Sequence, residues 1–325
     1  MREARVTELV ARATSGSPRA VARLISLVEN ASPRLREVTA ALTPLAGKAR
    51  IIGLTGSPGV GKSTSTSALV SAFRARGQRV GVLAVDPSSP FSGGALLGDR
   101  VRMQDHATDP EVFIRSMASR GHLGGLSWAT PQAIRVLDAA GCDVIFVETV
   151  GVGQAEVAVA SLADSTIVLV APGMGDSIQA AKAGILEIAD IFVVNKADRD
   201  GAQQAIRDLR NMVALAERDP DAWKPPILST VAFKNEGIDD VVEALDKHHA
   251  WLTAGGALRR RRLARARDEI EAIAVTALRE RMGDLHGDQR LDVLAAGVVS
   301  GDHDSYTAAD ELIAAVAGDP GNAAR

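Results

Sequence analysis

Short apolar runs punctuate the middle of the chain: Ile51–Leu54, Val80–Val85, Val144–Val147, Ile167–Val170 and Ile191–Val194, with a briefer one at Ile227–Leu228. Each is apolar on both faces and bounded by turn residues, the pattern of a strand buried in a parallel sheet. Helical stretches separate several of them. The pattern therefore predicts right-handed crossovers and a doubly wound α/β fold with a mostly parallel sheet. The first 48 residues read differently. Ser17-Pro18 is a helix start with proline at the first helical position, and Val21, Leu24, Ile25 and Val28 follow at helical spacing. Ser32-Pro33 starts another helix carrying Leu35, Val38 and Leu42. After the last strand the sequence predicts a closing helix over Ile238–Leu252, a break at Gly255-Gly256, a long helix over Ala257–Met282 and a final one over Tyr306–Val316. The expected organisation is a helical extension over 1–48, an α/β domain over 49–255, and a C-terminal helical arm and tail over 256–325. No internal repeat is visible.

The first strand runs directly into Gly56-Ser57-Pro58-Gly59-Val60-Gly61-Lys62-Ser63, with Thr64 next. This matches G-x-x-x-x-G-K-[ST], and a helical stretch from Ser63 to Arg76 follows it, closed by Gly77. A strand, a glycine-rich turn and a helix N-terminus form a nest of backbone N–H groups for phosphate, favoured by the helix dipole. Lys62 can reach the β- and γ-phosphates, and the Ser63 hydroxyl can ligate Mg²⁺. A chance match in a Gly/Ser-rich turn is the alternative, but it would not require the flanking strand and helix.

Asn195-Lys196-Ala197-Asp198 stands at the end of the strand Ile191–Val194. This is N-K-x-D, which reads guanine. The Asp198 carboxylate can accept from the N1–H and the 2-amino group, both of which adenine lacks, and a site built on hydrogen bonds rejects such an analogue strongly. Asn195 can brace the loop, and the Lys196 stem can cover one face of the base. The next turn, Ser229-Thr230-Val231, falls where GTPases place a loop that contacts the guanine O6. The expected ligands are GTP and GDP.

Ligands of open α/β sheets bind outside the carboxyl ends of the strands. Asp86 directly follows one strand and faces that edge; equally, Asp86-Pro87 could simply start a turn. Glu148 ends another strand in Glu148-Thr149-Val150-Gly151, where ordinary GTPases carry Asp-x-x-Gly. Magnesium favours one or two carboxylates with phosphates and waters. Asp86, Asp99 and Glu148 are the candidate carboxylates, with Ser63. Val152 stands where Ras-like enzymes carry the glutamine that positions water, so slow hydrolysis without a partner is expected, below about 1 s⁻¹. Two glycine-rich loops, 86–102 and 171–182, read as switches that order around the γ-phosphate, or else as plain surface loops.

Composition narrows the field. Of 325 residues, 46% are hydrophobic and only 3% aromatic, so aliphatic side chains must fill the core. A net charge of −3 provides no global field for nucleic acid or an anionic membrane. One cysteine, Cys142, excludes an intrachain disulfide framework. The start lacks a signal-peptide pattern and no apolar run approaches a membrane span, so a cytoplasmic protein with no membrane partner is expected. The run Arg259-Arg260-Arg261-Arg262, with Arg265 and Arg267, lacks interleaved aromatics and precedes Asp268, Glu269 and Glu271. With Leu258, Leu263, Ile270, Ile273 and Leu278 on one side, it reads as a charged helix face with a packing seam rather than a nucleic-acid patch. Six scattered histidines and one cysteine provide no convincing transition-metal cluster.

The chain resembles the MeaB/MMAA/ArgK group of P-loop GTPases, the G-protein chaperones of adenosylcobalamin-dependent methylmalonyl-CoA mutase. The likeness rests on Gly53 to Thr64, Val85-Asp86-Pro87-Ser88-Ser89-Pro90 to Gly98-Asp99-Arg100, Arg120-Gly121-His122-Leu123-Gly124-Gly125, and Val147 to Gln154. Ala171-Pro172-Gly173-Met174-Gly175-Asp176 and Asn195 to Asp198 complete it. The resemblance spans about residues 1–310. It implies a SIMIBI-type G domain with helical extensions, usually a homodimer, that binds methylmalonyl-CoA mutase. Such a protein couples GTP hydrolysis to cobalamin loading and protects the mutase. It also implies that Asp86, Asp99 and Glu148 are the Mg²⁺- and hydrolysis-linked carboxylates, and that Lys182 lies in a third switch loop that responds to the partner. Lys62, Asp86, Glu148 and Lys182 are thus the candidate catalytic residues. Ser229-Thr230-Val231 departs slightly from the Ser-Ala-Leu-like triplets of this group. Two rivals are a phosphotransferase of the ArgK description and a nickel metallochaperone GTPase. The first would need no N-K-x-D, and the second usually shows Cys/His sites.

Overall fold

The computed structural model describes residues 5–86, 103–106, 108–118, 129–149, 155–173, 187–215, 219, 221–282 and 289–317. The expected sites Asp99 and Lys182, the residue Val152 and most of both proposed switch loops lie outside them. Asp86 is described by its backbone only.

Seven strands form one sheet: β1 Arg50–Thr55, β2 Val80–Asp86, β3 Val112–Ala118, β4 Val144–Thr149, β5 Ser165–Val170, β6 Ile191–Asn195 and β7 Ile227–Thr230. Their order is β3-β2-β4-β1-β5-β6-β7 and every pairing is parallel. Six of these strands match the apolar runs read from sequence. The seventh, β3, carries Arg115 and Ser116 in its middle, which broke the apolar pattern. The Arg115 side chain leaves the sheet face to reach Ser26 and Glu29.

Helices cover both faces. Alternation along the strands sorts the side chains: Ile52, Leu54, Val144, Phe146, Ile167 and Leu169 face one layer. That layer is built from α4, Lys62–Ala75, and α8, Ile238–Ala254. Phe73 of α4 meets Phe146 edge-on at 5.7 Å and an interplanar angle of 61°. On the opposite face Ile51, Ile145 and Val147 join α5, Thr130–Ala139, and α6, Ala155–Leu162. The N-terminal helices α1 Val6–Thr14, α2 Pro18–Glu29 and α3 Leu35–Leu42 bury Val6, Leu24, Ile25 and Val38 in this same cluster. Val168, Phe192 and Val194 pack instead on α7, Ala202–Leu215. Gly53 allows α6 to approach β1: a Cβ there would lie 2.5 Å from Val159 Cγ1. Helix α3 begins at Leu35 rather than at Ser32-Pro33, because the Ser32 carbonyl and hydroxyl accept from the N–H groups of Leu35 and Arg34 in a preceding turn.

The amino ends of the central strands carry a buried polar knot. Asp164 precedes β5 and Asp190 precedes β6. The guanidinium of Arg261 donates to both Asp190 carboxylate oxygens at 2.9 and 2.8 Å, and that of Arg262 to Asp164 at 3.2 and 2.7 Å. Arg262 also donates to the carbonyls of Gly47 and Ala49. Two members of the arginine run are therefore structural clamps. His248, fully buried, meets Ser165 Oγ through Nδ1 at 2.9 Å and packs in a three-ring cluster with Trp223 and Trp251, which also contact each other.

By contact, the chain divides into two compact units, Met1–Arg262 and Leu263–Arg325. Helix α9, Ala257–Met282, begins in the first. The second also holds α10 Gln289–Ser300 and α11 Ser305–Ala317. Asp304 caps α11 by accepting from the N–H groups of Tyr306 and Thr307. The sequence reading missed α10, whose small residues gave a weak periodic signal. Leu263, Ile270, Ile273 and Leu278 of α9 are exposed.

Phe73→Ala should cost about 3–5 kcal/mol by leaving a cavity against Phe146, measured by urea unfolding. Burial pushes the His248 imidazolium pKa down to about 4 from 6.5, reinforced by Arg261 and opposed by Asp190. Between those values the unfolded chain takes up a proton that the folded chain refuses. Stability should therefore fall as pH drops from 6.5 towards 4, by up to about 1.4 kcal/mol per pH unit from this group. The His248→Gln variant should show a shallower slope across that window.

Candidate nucleotide site

The carboxyl ends of β1, β4, β6 and β7 converge on one edge. The register sets Glu148 of β4 opposite Leu54 of β1 and Ala84 of β2, and Asn195 of β6 opposite Thr230 of β7. Asp86 ends β2, paired with Ala118, so its backbone sits at the same edge.

The turn after β1 depends on glycine. Gly56, at φ +143, has Leu169 O only 2.2 Å from where a Cβ would stand. Gly61 caps α4 at φ +94, and a Cβ there would lie 2.4 Å from Asn195 Nδ2. Gly59 is also left-handed, at φ +81, with open space around it. Lys62, the first residue of α4, is buried, and its ammonium donates to Gly56 O at 2.7 Å and Ser57 O at 3.1 Å. The cation thus lies over the loop whose amides open the helix. Pro58, Gly59 and Thr64 are exposed, whereas Val60 is fully buried and anchors the loop from beneath.

Asn195 binds this turn to its neighbours. Its amide nitrogen donates to Val60 O at 2.8 Å, and its oxygen accepts from Thr230 Oγ1 and Ala232 N, both at 3.1 Å. Lys196 adopts φ +57 and its ammonium donates to Gly59 O at 2.6 Å. The N–H of Ala197 donates to Thr230 O at 3.0 Å. Asp198 is exposed, with Lys234 Nζ 3.8 Å from its carboxylate. Ser229 is exposed, while Thr230 and Val231 are buried; Val231 forms an isolated bridge with Glu236. Gly237 is needed there, since a Cβ would meet Ser229 O at 2.2 Å.

Beneath the helix N-terminus, the buried Glu148 carboxylate receives two hydroxyls. Ser63 Oγ donates to Oε1 at 2.7 Å and Thr66 Oγ1 to Oε2 at 2.9 Å. A hydroxyl and a carboxylate side by side are hard oxygen donors of the kind that magnesium takes. Among the described residues no group of three or more His, Cys, Asp or Glu side chains is placed to hold a metal by itself.

The structure therefore brings together the Gly56–Thr64 turn, Glu148, Asn195–Asp198 and Ser229–Val231, all read from sequence. Sequence reasoning missed Thr66 and Lys234. Thr66 falls three residues after Ser63, one helical turn on, and that spacing was the available signal. Lys234 lies in a short 3₁₀ turn after β7, which no motif marks.

A parallel doubly wound sheet, a glycine turn into a helix and N-K-x-D at the same edge of the sheet, two strands away, define a P-loop GTPase. Comparison with known proteins shows the family. The family model for methylmalonyl Co-A mutase-associated GTPase MeaB matches residues 21–285, and the chain belongs to that family. A Pyrococcus abyssi protein whose name carries the word GTPase is 46% identical over 316 residues, covering 96% of this chain and 97% of its own length. GTPase ArgK of Escherichia coli is 36% identical over 297 residues, 89% of each chain. The crystal structure of a LAO/AO transport system kinase superposes with a TM-score of 0.74 at 28% identity, covering 96% of this chain and 97% of its own.

Gly56→Ala tests the turn. The strained φ and the clash with Leu169 O should destabilise the protein by about 3 kcal/mol or more. Thermal unfolding measures this, and guanine nucleotide should give the variant much less protection than it gives the native chain.

Proposed function

We propose that this GTPase is a chaperone of a cobalamin-dependent methylmalonyl-CoA mutase, which uses the GTP cycle to gate cofactor loading and to protect the mutase. The observation that supports the nucleotide half of this reading is the Asn195 and Lys196 bonding to the Gly56–Lys62 turn, the residues just before the exposed Asp198. The client half is supported by the family's description as mutase-associated, and by a Mus musculus relative named methylmalonic aciduria type A homolog, mitochondrial, 34% identical over 277 residues. That relative is covered over 66% of its length, against 79% of this chain.

In this reading Gly56 to Thr64 wrap the phosphates, and Lys62 offsets their charge. Asp198 accepts from the guanine N1–H and 2-amino group, Lys196 covers the base, and Ser229-Thr230-Val231 approaches its O6. Ser63 and Glu148 would hold magnesium, with Asp86 and Asp99 as further candidate carboxylates. Magnesium, when bound with nucleotide, would neutralise charge between the β- and γ-phosphates. Lys182 is the proposed partner-responsive lysine. The exposed stripe Leu263, Ile270, Ile273 and Leu278 is the proposed homodimer contact, and the cytoplasm is the proposed location. No helix among the described residues is long and apolar enough to cross a membrane.

A second reading is favoured by one observation: the crystallised protein that shares this fold at 28% identity is called a transport system kinase. Labelled γ-phosphate separates the two: release as free phosphate supports the GTPase cycle, and transfer to a protein supports the phosphotransferase.

Asp198→Asn should lower the preference for GTP over ATP by roughly 10²-fold or more, because the amide cannot accept two donors as the carboxylate does. Competition binding measures it. A cut after residue 262 keeps both arginine clamps, and the truncated chain should be monomeric by light scattering while retaining nucleotide binding. The full chain, mixed with a methylmalonyl-CoA mutase and a non-hydrolysable GTP analogue, should be retained with it on a column.

A further inference from the structure

The Glu148 side chain poses a problem that the nucleotide reading leaves open. It is one methylene longer than the aspartate that ordinary GTPases carry at this strand end. It therefore has one more torsion to fix, and its terminal carboxylate torsion is intrinsically broad. A single hydrogen bond to one oxygen leaves that plane free to turn. In this protein two hydroxyls from the same helix take different oxygens, Ser63 at 2.7 Å and Thr66 at 2.9 Å. Ser63 and Thr66 are three residues apart on α4, so they project from one face a turn apart. Thr66 is fully buried, and its own helix supplies a second acceptor for its hydroxyl, Lys62 O at 3.0 Å. One proton serves both acceptors, and the charged one holds it more strongly.

We propose that Thr66 is a positioning residue for GTP hydrolysis: its hydroxyl pins one oxygen of Glu148, so that the other faces Ser63 in the geometry that the nucleotide–magnesium complex requires. The inference rests on the nucleotide-site reading above. Thr66 touches neither nucleotide nor metal in this scheme, and acts through Glu148. The hydroxyl, rather than the bulk of the side chain, is what matters.

The test uses the full-length chain as wild type, Thr66→Val, which keeps the shape and removes the hydroxyl, and Thr66→Ser, which keeps the hydroxyl. Affinity for a non-hydrolysable GTP analogue is first measured in EDTA, where all three proteins should agree within about twofold. Magnesium is then titrated into each analogue complex. Thr66→Val should need about 10-fold more magnesium or greater for half-saturation, the scale on which outer-shell partners act, and Thr66→Ser should stay near wild type. Single-turnover hydrolysis at saturating GTP should fall by a similar factor in Thr66→Val, with KM unchanged, and recover in Thr66→Ser. Should Thr66→Val not fold, Thr66→Ala carries the same comparison. An unchanged magnesium requirement in the hydroxyl-free variant would overturn the inference, as would equal impairment in Thr66→Ser. Failure of the wild type itself to bind the analogue would instead sink the nucleotide reading, and this inference with it.

Discussion

One primary amide, that of Asn195, makes a single site out of loops that are far apart in sequence. It donates to Val60 in the glycine turn and accepts from Thr230 and Ala232 beyond β7. Few side chains can do this, because it requires a donor and a doubly accepting oxygen on one rigid plane. The contact also dictates its surroundings. Gly61 must lack a Cβ because the amide nitrogen occupies that space. Thr230 must be buried with its hydroxyl turned inward. Once these bonds form, the glycine turn, Asn195 to Asp198 and the turn after β7 are held in one frame. In the proposed function, that frame is what would couple phosphate position to base identity.

The other end of the sheet is held with equal economy. Asp190 and Asp164 stand at the amino ends of β6 and β5, and Arg261 and Arg262 neutralise them from the start of α9. Strand β6 is therefore fixed at both termini, by Asp190 at one end and Asn195 at the other. Buried carboxylates with bidentate guanidinium partners are costly to strand, so this end is expected to resist opening. The first six residues of the C-terminal helix, Ala257 to Arg262, belong structurally to the GTPase core, although their composition resembles a solvated basic face.

Most of the fold was legible in the sequence because parallel strands buried on both faces leave unbroken apolar runs. β3 was not legible, because Arg115 interrupts its run to reach the N-terminal helices, a tertiary demand that local pattern does not encode. The α10 segment, rich in Val and Ala and holding a glycine, gave no sharp periodicity. Within the site, fixed-spacing motifs exposed the glycine turn and Asn195 to Asp198, since backbone geometry and hydrogen-bond chemistry tie those residue types to those positions. Thr66 and Lys234 escaped, because a lone threonine in a helix and a lone lysine in a turn acquire meaning only when Glu148 and Asp198 are seen beside them. The arginine run was read as a helix face; that two of its members clamp buried aspartates could emerge only from the three-dimensional arrangement.

The central claim is that one rigid pocket grips a triphosphate and selects guanine. Isothermal titration calorimetry of the full-length protein with GDP and with ADP, each with magnesium, tests it most directly. The account predicts saturable binding of GDP near one site per chain, with ADP weaker by roughly 10²-fold or more. Equal affinity for the two nucleotides, or no binding of GDP by folded protein, would contradict it.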